Sequence, residues 1–378
     1  MSEGMTTVTS LRAASSLEPC EAPGPREAAL SSASSGANDT SASSGSRRAS
    51  ASSTSRGAAR RDRIADAPEA AWATRREKGT ATGVRFILAL TRIFGRGGAR
   101  LFLRVLIFYY ALFARAARRA SREYHARLRG VTPAAIGFFA VYRHLLAFAE
   151  VALDRVYLVR GESRHFEVTH TGVEHLTALR RAGKGAILLG AHLGSFEALR
   201  QVGGAQAFKI HILAYFENAR LITRFLEEAG ADFHSSVIAI RPGDPSYIFQ
   251  VQEAIEAGDL VAVLGDRVGL SEKTATVDFL GAPARLPIGP YTMAAILRCP
   301  IYLTFGLYQA PSRYDLYCEP LCERLELPRK GRDAVIQEYA QRYAARLEHY
   351  CRRAPDNWFN FFDFWGAAGS AGERGQGG

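Results

Sequence analysis

Short apolar runs alternating with helical stretches constrain this chain more than any other feature. Ala186–Gly190, residues 210–214, Val237–Ile240, Leu260–Leu264 and residues 301–307 have strand length and are almost continuously hydrophobic. A strand wetted on one face alternates apolar and polar residues, whereas a strand covered on both faces does not. Between most of these runs lie segments with helical spacing, at 196–202, 219–228, Tyr247–Glu256 and 292–297. The pattern predicts βαβ units and an α/β fold, a mainly parallel sheet covered by helices on both faces. Residues 332–351 read as one more amphipathic helix. With 378 residues, 47% of them hydrophobic, the chain can build one sizeable α/β domain or two small ones.

Other segments divide the chain. Residues 1–80 are rich in Ser, Ala, Gly and Arg with almost no apolar clustering, which predicts a disordered tail; they lack the apolar core and cleavage site of a secretory signal. Residues 81–130 change character. Phe86, Leu90, Ile93 and Phe94 share a helical face, and Gly95-Arg96-Gly97-Gly98 interrupts the helix. Residues 101–114 (LFLRVLIFYYALFA) are apolar all round except for Arg104, with Arg100 before them and Arg115, Arg118 and Arg119 after. A full span needs ~20 apolar residues, so this run is short. Cationic clusters at both ends favour a helix lying in an anionic membrane surface over a buried core helix. Residues 131–365 would form the α/β domain, and a glycine-rich tail, 366–378, follows.

The formal net charge of +11 favours anionic partners, namely phospholipid head groups, acidic proteins or nucleic acid, or simply reflects genome composition. The arginines concentrate in the tail and the apolar helix, not on a face with interleaved aromatics, which argues against nucleic acid. Five cysteines, Cys20, Cys299, Cys318, Cys322 and Cys351, match no zinc spacing and read as reduced thiols of a cytoplasmic domain. No metal-ligand cluster is evident, and no cofactor is expected.

The most informative stretch is 185–197, Gly-Ala-Ile-Leu-Leu-Gly-Ala-His-Leu-Gly-Ser-Phe-Glu. It reads as a buried strand, a turn of small residues and a helix start. In open parallel sheets ligands bind beyond the carboxyl ends of the strands, where His192 would stand. Glu197, five residues on, is placed to fold back and fix the imidazole tautomer, giving a general base for a substrate that brings its own hydroxyl. Alone, such a pair is more often a capped helix start. Ser195 invites a serine esterase or lipid hydrolase as the alternative, but the Gly-x-Ser-x-Gly elbow is missing.

Taken with three later blocks in the same order, the pair resembles the lysophospholipid and glycerol-phosphate acyltransferase superfamily. Its histidine–four residues–acid motif matches His192 to Glu197. Residues 215–220 (YFENAR), 264–267 (LGDR) and 279–290 (FLGAPARLPIGP) resemble the second, third and fourth blocks. The likeness covers residues 92–365 and is nearest to the branch of the lipid A late acyltransferases. Within that branch it is similar to acyltransferases associated with fatty-acid and aryl-polyene synthesis. Arg267 stands where the lipid A enzymes usually have Gln, which points to an acceptor unlike lipid A.

The resemblance implies an O-acyltransferase at the cytoplasmic face of the inner membrane. Its donor would be an acyl thioester on acyl carrier protein or coenzyme A, and its acceptor a hydroxyl of a membrane lipid or glycolipid. His192 and Glu197 would be catalytic; Asn218, Arg220, Asp266, Arg267, Pro287, Gly289 and Pro290 would bind substrate. The oxyanion of the tetrahedral intermediate would meet backbone N–H groups near Gly194 or the guanidinium of Arg267. The aromatic run 358–365 (WFNFFDFW) reads equally as core packing or as a membrane-interface belt.

Overall fold

The computed structural model describes residues 81–196, 198, 209–216, 223, 237–241, 244–269 and 272–366. A seven-stranded sheet runs in the order β1-β9-β8-β2-β5-β3-β4. Its strands are β1 (Glu167–Thr171), β2 (Ala186–Gly190), β3 (Ile210–Tyr215), β4 (Val237–Ile240), β5 (Leu260–Leu264), β8 (Ile301–Gln309) and β9 (Arg313–Cys322). β8, β2, β5, β3 and β4 are mutually parallel, β9 returns antiparallel to β8, and β1 lies parallel to β9. A separate hairpin, β6 (Thr274–Phe279) with β7 (Ala282–Pro287), completes the strands seen among the described residues. The expected parallel sheet is present, and its five apolar runs are its five parallel strands.

Every residue of β2 is buried, which explains its unbroken apolar sequence. Ile187 and Leu189 face one layer and Ala186 and Leu188 the other, as the two-residue period of a strand dictates. The first layer contains α5 (Tyr247–Glu256), α6 (Gly289–Leu297) and α7 (Arg332–Arg353), the hairpin and the aromatic run. The second contains α4 (Val173–Arg181), through Leu176 and Leu179. Trp358, Phe359 and Trp365 are all nearly inaccessible, so the aromatic run is core packing. Its rings contact Tyr124, His144 and Phe279.

Three helices precede the sheet: α1 (Ala81–Phe113), α2 (Arg115–Arg129) and α3 (Phe138–Val159). Gly95, at φ 61°, breaks the helical path of α1 inside the glycine cluster that was expected to interrupt it. Ala99, Leu103 and Ala111 of α1 are buried, the first two against Ala149 and Leu153 of α3. Charges reinforce this seam. Arg96 makes a two-pronged pair with Asp154 at 2.9 and 3.0 Å, and Arg100 lies 2.7 Å from Glu150. Tyr308 and Tyr314 donate to Glu150 and Asp154, so each buried carboxylate is shared between helix and sheet.

The opposite side of α1 is apolar and open. Leu101, Val105 and Tyr109, spaced four apart, are 64%, 55% and 58% exposed, and Phe113 is 78% exposed. No single helix among the described residues is long and apolar enough to cross a membrane; α1 from Thr91 and α2 meet that standard only together, across a 92° bend.

Candidate active site

Register builds the site. β2 and β5 pair in parallel with Gly190 opposite Leu264, so the residue two positions beyond each strand emerges beside its counterpart. Those residues are His192 and Asp266. The His192 Nδ1 lies 2.8 Å from Oδ1 of Asp266, and the backbone N–H of His192 donates to Oδ2 at 3.0 Å. A carboxylate accepts, so Nδ1 carries the hydrogen and Nε2 the basic lone pair. The His192 side chain is 27% exposed while Asp266 has no exposed surface, so the ring presents its outer edge and hides its partner.

Oδ2 of Asp266 also accepts from Trp358 Nε1 at 3.0 Å and from Asn360 Nδ2 at 2.9 Å. Burial alone would raise the carboxyl's affinity for a proton. The facing His192, its ring and backbone donors and the Arg267 charge overcome that and hold Asp266 below the ordinary carboxylate range. Arg267 is itself fixed, its Nε donating to Asn360 Oδ1 at 2.7 Å and an Nη to the carbonyl of Phe359 at 3.0 Å. The amide oxygen of Asn360 thus positions the guanidinium while its nitrogen positions the carboxylate.

The turn after β2 is pinned just as tightly. The N–H of Phe359 donates to the His192 carbonyl at 2.7 Å, and the N–H of Gly194 to the Asn357 carbonyl at 2.9 Å. Ser195 N–H donates to the Gly306 carbonyl at 2.7 Å. Gly194 holds φ +65°, and a Cβ there would lie 1.8 Å from the Gly306 oxygen, so only glycine fits.

These bonds decide some expectations and alter others. The amides of Gly194 and Ser195 are spent on the protein, which removes these two from the backbone donors that the sequence suggested for the oxyanion. Ser195 is fully buried, with Oγ accepting from the Ala198 N–H at 3.3 Å; that is a helix-start cap, not a nucleophile in a cleft. Asp266, expected to touch substrate, is sealed from solvent and touches the His192 ring instead. Glu197, Asn218 and Arg220 lie outside the described residues.

The fourth block forms the turn and second strand of the hairpin and the start of α6. Leu280 and Gly281 both adopt positive φ, 54° and 71°, as a two-residue hairpin turn requires. Pro287 closes β7, and Gly289 and Pro290 open α6. A Cβ at Gly289 would come within 2.9 Å of Glu272 Oε1. Glu272 accepts from Tyr215 Oη at 2.9 Å and from the Gly269 N–H at 2.8 Å, tying this block to the carboxyl end of β3. Burial raises the Glu272 pKa. Trp358, Asn360 and Glu272 were not singled out as site residues in the sequence. Asn357 and Asn360, two amides at and inside the start of an aromatic run, were the available signal, because a buried amide needs partners.

An open α/β sheet with a carboxylate-oriented histidine at the carboxyl ends of two central strands is an arrangement that suits general-base chemistry. The model of the bacterial lipid A biosynthesis acyltransferase family matches residues 146–366, more than half of the sequence, and the chain belongs to that family. It is also similar to a phosphatidylinositol mannoside acyltransferase of Mycobacterium tuberculosis (strain ATCC 25618 / H37Rv), with 25% identity over 181 residues. That alignment covers 46% of this chain and 56% of the relative, so the chain spans about half the length of the curated relative it matches.

Proposed function

We propose that this protein is an O-acyltransferase that moves a fatty acyl group from an acyl thioester to a hydroxyl of a membrane lipid or glycolipid. The observation that carries the reading is the 2.8 Å contact between His192 Nδ1 and the buried Asp266 at the ends of β2 and β5. With Nδ1 committed to the carboxylate, Nε2 takes the proton of the acceptor hydroxyl as its oxygen attacks the thioester carbonyl. The Asp266 charge stabilises the imidazolium that results. The tetrahedral intermediate places its negative charge against the Arg267 guanidinium, held in place by Asn360. Collapse breaks the C–S bond, and the departing sulfur takes the proton back from His192, leaving an ester and a free thiol. The donor is acyl carrier protein or coenzyme A. Its anionic carrier suits a chain of net charge +11.

The exposed face of α1 supports attachment to a membrane, with the α/β domain on the cytoplasmic side of the inner membrane, close to lipid acceptor and product. The test compares the lipids of a deletion strain complemented with wild type or with His192→Ala, by mass spectrometry. The reading requires one acylated lipid that wild type restores and His192→Ala does not. Restoration by the folded His192→Ala protein would overturn the mechanism.

A further inference from the structure

The bend between α1 and α2 contains a feature that the transfer reaction does not use. Arg115, Arg118, Arg119 and Arg122, at helical spacing i, i+3, i+4 and i+7, fall on one face of α2. With Pro133 and Ala134 they line an open concavity of about 270 Å³. Such crowding of like charge on one helix face is destabilising unless an anion offsets it. Among the described residues no carboxylate pairs with these four: Glu123, the sole acid between residues 81 and 137, is engaged by Arg127 at 3.1 Å. Arg118 turns one Nη toward the carbonyls of Ala111 and Leu112, which fixes the corner where the apolar helix meets the arginine face. Arg115, Arg119 and Arg122 are solvent-exposed.

On the α1 side of that corner lie Tyr109, Leu112 and Phe113, 58%, 40% and 78% exposed. Apolar surface therefore meets a four-guanidinium concavity within a few residues. The molecule with the matching order, acyl chains and then a phosphate, is a bilayer phospholipid. Guanidinium groups engage phosphate oxygens in pairs, and several around one hollow favour a phosphate with more than one negative charge.

We infer that the hollow lined by Arg115, Arg118, Arg119 and Arg122 is a headgroup site for an anionic bilayer phospholipid, engaged when the exposed face of α1 enters the membrane. The inference rests on the membrane attachment proposed above. It adds that charge is read by a local site on α2 and not by the overall positive balance.

The test is flotation of the full chain with phosphatidylcholine vesicles and with vesicles containing phosphatidic acid at 20 mole per cent. Arg115→Gln/Arg119→Gln/Arg122→Gln removes three charges from the hollow and leaves Arg118 at the corner. Arg329→Gln/Lys330→Gln/Arg332→Gln removes the same charge from exposed positions before and at the start of α7. Wild type is expected to prefer the phosphatidic acid vesicles. The α2 variant should bind them about a hundred-fold more weakly, and the α7 variant within about two-fold of wild type. Equal losses in the two variants would show a diffuse charge effect and overturn the site. Wild-type binding to both vesicle types alike would overturn it too, while leaving membrane attachment standing. Wild type binding neither would remove the membrane reading itself. Circular dichroism of both variants matching wild type confirms that charge, not folding, is being measured.

Discussion

Asp266 is a carboxylate with no access to water, kept ionised by donors converging on its two oxygens. Because its folded pKa lies below its unfolded value, its contribution to stability is present above the ordinary carboxylate pKa of ~4 and lost as pH falls below that. The orienting role proposed for it in catalysis is separable. Asp266→Asn keeps the size but removes the charge that fixes the His192 tautomer, so kcat should fall about a hundred- to ten-thousand-fold with KM little changed. Glu197→Gln belongs in the same assay, since the five-residue spacing in the sequence named Glu197 as the partner. A deeper loss in Asp266→Asn assigns the orienting role to Asp266, and near-wild-type turnover in it would refute that role. Gly194→Ala tests the turn. With φ +65° and a Cβ at 1.8 Å from the Gly306 oxygen, it should cost at least about 3 kcal/mol in urea unfolding. His192 was legible in the sequence because the run of small residues after an apolar strand marks a strand end. Asp266 was legible as a block but not as a partner. A sequence separation of 74 becomes a contact only through the β2–β5 register, which no local pattern encodes.

At the scale of elements, α2 and α3 meet through two histidines that the proposed mechanism does not use. His144 has no exposed surface; it shares a hydrogen bond with Ser121 at 2.9 Å and reaches the Trp358 carbonyl at 2.8 Å. Burial pushes its pKa down to about 4, and burial together with the neighbouring His144, Arg129 and Arg143 pushes that of His125 down to about 3. Both rings are neutral in the folded state where an unfolded chain would already protonate them. The unfolded state therefore binds more protons between pH ~6.5 and ~4, and stability must fall as pH drops through that window, by up to roughly 1.4 kcal/mol per pH unit for each ring. His144→Gln should flatten this slope in urea midpoints measured at pH 7, 6 and 5; an unchanged slope would mean that other groups set it. The same scale shows which elements the sequence declares. The parallel strands and α5, α6 and α7 announce themselves, because burial on both faces or on one stripe forces a pattern. β1 and β9 do not. β1, Glu-Val-Thr-His-Thr, is an exposed edge strand, and β9 mixes buried aromatics with Arg313, Asp315 and Glu319, so neither forms an apolar run. Half of the hairpin, β7, lies inside a block whose residues read as a turn.

Across the whole molecule, one side of α1 is joined to the body by buried ion pairs while its other side offers Leu101, Val105, Tyr109 and Phe113 to the surroundings. A soluble protein rarely leaves so large an apolar strip open, since each Å² kept in water forgoes about 25 cal/mol. In the membrane attachment proposed above, the adjoining arginines would add attraction to an anionic leaflet, worth about 1 kcal/mol each near the surface. The two contributions respond differently to salt. Screening shortens the reach of the charges to a few Å at molar ionic strength but leaves apolar burial intact. The protein in cell extracts should therefore sediment with membranes, release only in part at 1 M NaCl and release fully in detergent. Leu101→Ser/Val105→Ser/Tyr109→Ser removes the outward strip without touching Ala99, Leu103 or Ala111, which pack inward. It should leave the fold and acyl transfer to a detergent-dispersed acceptor intact while moving most of the protein to the soluble fraction. It should also make the remainder salt-extractable, because only the charge attraction survives. A wild-type protein that stays soluble without detergent would overturn the membrane attachment.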